Sequence, residues 1–157
     1  MITTAVVVAI ALAGLINQGG AGPNPTPLAP KCDATLWAHV FLPARLHVLN
    51  PCIETTGVIT SIHKENDGDF HMHLKADNSS LINQDNIKFE HGDLILETIC
   101  QHTPTRAEVD GACNNFNHPP MALPALGSHV TVVGSWVTDL RENGHNEIHP
   151  VTSITPS

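Results

Sequence analysis

The sequence predicts a mainly β fold of five strands, with one short helix between the third and fourth. Three observations carry this reading. Runs rich in Ile, Val and Thr are separated by Asp67-Gly68 and Asn143-Gly144, dipeptides that favour tight hairpin turns. Residues 69–76 alternate apolar and polar without a break, the period of a strand with one buried face. Finally, 157 residues with 41% hydrophobic and 14% charged content are enough for one globular core and too apolar for a disordered chain.

The elements follow in order. Residues 53–64 (IETTGVITSIHK) have strand composition, and Gly57 inside them marks a bulge or a sharp bend. After the Asp67-Gly68 turn, Phe70, Met72, Leu74 and Ala76 face the core, while Asp69, His71, His73 and Lys75 form the polar face. Residues 77–92 are polar and irregular and read as a long loop, and residues 93–99 (DLILETI) as a short third strand. Within 104–116, Thr105 with Glu108 three positions later forms a capping box for the short helix. Pro119, Pro120 and Pro124 keep the next stretch in a loop. Residues 127–139 (GSHVTVVGSWVTD) are the fourth strand, with Gly134 as an internal break and Trp136 turned to the core. Residues 145–154 (HNEIHPVTSI) are the fifth, and Pro150 points to an edge or a bulge.

The N-terminus reads as an address. Residues 5–16 (AVVVAIALAGLI) are apolar or small and precede small residues up to Gly22, the pattern of a secretory signal peptide cleaved after Ala21. Because residues 1–4 carry no Lys or Arg, a retained short anchor is the alternative. Four prolines within 22–30 make a semi-extended spacer. The expected organisation is a signal peptide over 1–21, a Pro-rich linker over 22–31, an N-terminal arm over 32–51 and a β-barrel over 52–157, secreted or held at the cell surface or in the periplasm. No run reaches the roughly 18 apolar residues of a membrane-spanning helix. Four widely spaced cysteines fit an oxidising compartment, and the pairs Cys32–Cys52 and Cys100–Cys113 each close a short local loop. The alternative for the second pair is a zinc site from Cys100, His102, Cys113 and His118, whose spacing lacks the usual close ligand pairs.

The order strand, strand, strand, helix, strand, strand, carried by CIETTGVITSIHKENDGDFHMHLKAD and GSHVTVVGSWVTDLRENGHNEIHPV, resembles the OB-fold, a five-stranded Greek-key barrel. The chain also resembles small exported prokaryotic domains of this type with no assigned activity. The resemblance implies a fold and no catalytic residue. A small β-sandwich with one helix is the competing architecture.

Several functions are disfavoured. A net charge of −8, with only seven Lys and Arg, provides no basic groove for nucleic acid. There is no G-x-S-x-G elbow, no P-loop and no G-x-G-x-x-G. Histidine is the unusual feature, at eleven residues. His71 and His73 project from one strand face beside Asp69, and His145, Glu147 and His149 repeat that arrangement on the last strand. Such a set can converge on zinc or copper, and a bound metal could activate water with Glu147 as base. The plainer expectation is a solvated outer face with no cofactor. The sequence therefore points to a monomeric, non-catalytic binding domain for a small molecule or another protein. Its rival is a metal-dependent hydrolase or metal-binding protein built on those five residues. The third strand should separate the two histidine clusters.

Overall fold

The computed structural model describes residues 30–106 and 109–157. The expected signal peptide, the linker up to residue 29 and Glu108 of the expected capping box lie outside the described residues. The strands are β1 (Leu46–Lys64), β2 (Phe70–Ala76), β3 (Leu94–Thr98), β4 (His129–Asp139) and β5 (Asn146–Pro156). They pair in the order β1-β2-β3-β5-β4, and β4 pairs back onto β1, so the five-stranded sheet closes on itself. All pairings are antiparallel except β3 with β5, which run parallel through Ile95 opposite Glu147 and Leu96 opposite Ile148.

Closure depends on two glycines. Gly57 lies opposite Ala76 on one side and Val130 on the other, and a β-carbon there would lie 2.9 Å from the Ala76 Cα. Gly134 lies where the β4–β5 register shifts, and its missing β-carbon would lie 2.6 Å from the Pro150 carbonyl oxygen. Both are points of close backbone approach that only glycine permits.

The inner wall is apolar. Ile59, Met72, Leu74, Leu94, Leu96, Val130, Val132, Ile148 and Val151 form one buried cluster, with Trp136 packed against it. Trp136 also donates its indole N–H to the Leu81 carbonyl. Strand alternation places Ile95, Glu97 and Ile99 on the opposite, outer face. There Ile99 and Val137 pack with Leu46 and with Leu36 and Val40 of the N-terminal arm, a second buried cluster. Cys32 is bridged to Cys52 and Cys100 to Cys113, with Cα separations of 5.6 and 5.4 Å. No cysteine is free among the described residues, so the alternative zinc site over Cys100, His102, Cys113 and His118 has no thiolates to offer.

Three features differ from the sequence reading. β1 begins at Leu46, because the arm pairs with β4 through Leu46–Asp139 and His47–Thr138 despite Asn50 and Pro51. The expected loop over 77–92 contains a helix, α1 (Gln84–Phe89). The expected helix within 104–116 is reduced to one turn, α2 (Asp110–Cys113). Thr105 does not cap it; its hydroxyl donates to the Asn66 side chain at 3.1 Å and ties this segment to the first hairpin. Among the described residues, no helix is long and apolar enough to cross a membrane.

Candidate metal centre

β3 lies between β2 and β5, and its outward Glu97 stands between their polar faces. His71 stands opposite Glu97, and its Nδ1 forms a 2.6 Å hydrogen bond with the Glu97 carboxylate. That bond leaves Nε2 as the open nitrogen of His71. On His73, Nε2 lies 3.8 Å from Glu90 and Nδ1 3.8 Å from Asp93. Asp93 is itself held by the Thr60 hydroxyl, which donates to it at 2.7 Å.

His71, His73 and Glu90 each offer a ligand atom, and these atoms all lie within 4.8 Å of one another. Two imidazoles and one carboxylate suit a first-row divalent metal. Burial, ahead of the neighbouring His71, lowers the pKa of His73 against the opposing pull of Glu90, which favours the neutral imidazole that binds metal. A second geometric grouping, Asp69 with Cys100 and Cys113, is not a metal site, because both sulfurs are committed to a disulfide.

Glu90 joins this trio to the fifth strand. Its other oxygen lies 3.3 Å from His145 Nδ1, His145 Nε2 lies 3.4 Å from Glu147, and Glu147 lies 3.1 Å from His149 Nδ1. The result is an alternating row of carboxylate and imidazole running inward from Glu90. The expectation of a solvated face fails here: His145, Glu147 and His149 are all buried, at 1%, 0% and 1% exposure. The alternation placed them on the outer face correctly, but that face is covered. Glu147 and His149 therefore do not reach the metal trio; they meet it only through His145. Neither ring nitrogen of His145, nor His149 Nε2, completes a well-directed hydrogen bond.

The row is electrostatically self-consistent. Burial pushes Glu147 up, but its contacts with His145 and His149 outweigh this and hold its pKa at about 2. Burial pushes His149 down, and Glu147 more than reverses this, so its pKa is raised. Glu97 is raised well above the usual carboxylate range by burial and then by the charge of Glu147. Asp69, expected on the polar face, is only 5% exposed; burial and then Asp67 raise its pKa to about 7, while its carboxylate accepts the Cys100 N–H at 2.7 Å.

Local sequence fixes Glu90 in place. Asn83 caps α1 and Asn86 returns the bond, forming a capping box. Asn86 is fully buried: its amide donates to the Asp93 and Asn146 carbonyls at 2.9 and 2.8 Å, and its oxygen accepts the Asn146 N–H at 2.9 Å. One side chain thus ties the end of α1 to β3 and β5, setting Glu90 and Asp93 beside the histidines. Sequence reasoning missed Glu90, Asp93 and Glu97. Glu97 was detectable as the outward residue of the third strand, opposite His71; Glu90 was hidden because α1 carries no apolar periodicity, and Asp93 because only the fold brings it beside His73. No family model matches this chain, and no curated protein shows significant similarity to it.

Proposed function

We propose that this chain is an exported, disulfide-stapled binding domain of the OB type whose ligand is a divalent transition-metal ion, zinc or copper, held by His71, His73 and Glu90. One observation carries the reading: three ligand atoms of suitable chemistry lie within 4.8 Å of one another, and each ligand has a partner for its remaining polar atom. Glu97 takes His71 Nδ1, Asp93 faces His73 Nδ1, and His145 faces the second oxygen of Glu90. Outer partners of this kind orient the ligands of metal sites. The five-strand ring with a helical turn between β3 and β4 supports the OB reading. The two disulfides support export.

Three protein ligands leave a coordination position for water, so metal-activated hydrolysis is the rival activity of the same centre. The base once expected, Glu147, reaches the centre only through His145 and Glu90. That favours binding over catalysis. Titration of metal-free protein with zinc should show one ion per chain, and His73→Ala should abolish it. A parent protein that takes up no stoichiometric zinc or copper refutes the reading.

A further inference from the structure

His73 is surrounded by imidazoles. The His71 ring lies 5.4 Å from its ring centroid, and those of His63 and His91 each lie 6.4 Å away. His63 and His91 are exposed, and neither belongs to the group whose ligand atoms lie within 4.8 Å. They arrive from separate elements. His63 is on β1 opposite His71, with its Nε2 at 2.6 Å from the Ser61 hydroxyl, and His91 directly follows Glu90.

The backbone at His91 adds an independent observation. Its φ is +58°, in the left-handed region, one residue past the C-cap of α1. Glycine is the usual occupant of that position, because a β-carbon is disfavoured there. Here the glycine comes one residue later, at Gly92, and an imidazole stands in the disfavoured conformation beside a candidate ligand. Histidine is, with Asn and Asp, among the side chains that adopt this conformation most readily, and here it holds the His91 ring exposed beside Glu90.

We infer that His63 and His91 are transient ligands that capture the metal ion at the surface, pass it to His71, His73 and Glu90, and receive it again on release. This rests on the reading of those three residues as the ligand set. Each transfer is a ligand exchange: a neutral imidazole nitrogen forms one bond to the ion as one bond to water or to another imidazole breaks, with no change of redox state. Two exposed imidazoles beside His73 shorten each step, so the ion is never stripped of all its nitrogen ligands at once.

The test uses zinc. Metal-free parent protein, His91→Gly and the double variant His63→Ala/His91→Gly are mixed with zinc, and uptake is followed with a chromophoric chelator; release is followed after adding EDTA. We expect both rates to fall severalfold, and by the same factor, in the double variant. The equilibrium affinity should stay within about threefold of the parent, since a gate alters both directions alike. His91→Gly should also raise the thermal midpoint, because it relieves the left-handed β-carbon, so slower uptake is not a sign of unfolding. Unchanged rates in the double variant overturn the inference. So does a tenfold loss of affinity, which would make the two histidines permanent ligands. A parent protein that binds no zinc fails in a different arm and overturns the centre itself.

Discussion

Glu147→Gln probes the buried row most directly. Glu147 is fully buried between His145 at 3.4 Å and His149 at 3.1 Å. Against burial, which pushes it up, these contacts hold its pKa at about 2 rather than the ordinary 4.5. The unfolded chain therefore takes up a proton more readily than the folded one in this range, and the stabilisation is present above pH 4.5 and lost as pH falls towards 2. The difference, 4.5 − 2 = 2.5 in pKa, amounts to about 3 kcal/mol. His149 carries the other half of the same interaction: its pKa is raised above 6.5, so its share is present below pH 6.5 and lost as pH rises through the folded value. The two describe one contact and are not summed. The stability gap between parent and variant should be widest from pH 4.5 to 6.5, where both charges exist. Its size, about 3 kcal/mol, falls at the low end for breaking a buried ion pair. Urea unfolding at about pH 3, 5.5 and 8 measures it through the linear dependence of stability on denaturant. A gap as large at the most acidic point as at the middle one would refute the charge pairing, leaving only a packing effect.

Two further perturbations test the frame that holds the centre. Gly134→Ala would set a β-carbon against the Ile148 side chain and 2.6 Å from the Pro150 carbonyl oxygen, so the thermal midpoint should drop by the equivalent of at least the roughly 1–3 kcal/mol of overpacking; an unchanged midpoint contradicts the β4–β5 approach. Replacing Cys32 and Cys52 together by serine opens a loop with a sequence separation of 20, and should lower stability by about 3 kcal/mol in urea. Equal urea midpoints for parent and variant would mean the bridge does not constrain the unfolded chain.

The strands were legible because their signals are local. Asp67-Gly68, Asn143-Gly144 and the clean alternation from Phe70 to Ala76 fix turns and faces without reference to the rest of the chain. The disulfides were legible for the same reason, each closing a short segment. What escaped depends on distant partners. α1 (QDNIKF) has no apolar stripe; its buried residue is the polar Asn86, whose amide group is satisfied by Asp93 and by Asn146, far from it along the chain. The N-terminal part of β1 contains Asn50 and Pro51, which argue against a strand until β4 is alongside. At the candidate centre, alternation assigned the outer face to His71, His73, His145, Glu147 and His149, but alternation cannot report cover. Part of the cover over the last three comes from Glu90, which meets His145 and follows a helix with no periodicity of its own.

The Cys32–Cys52 bridge also determines how the molecule would bear tension. Cys52 lies within β1, between the Asn50–Trp136 and Ile53–Gly134 pairs. A pull on the chain ahead of Cys32 would therefore pass through sulfur into the flank of a strand locked to β4, bypassing residues 33–51. That stretch would stay slack under strain, and a protease cut within it would leave both pieces fastened together.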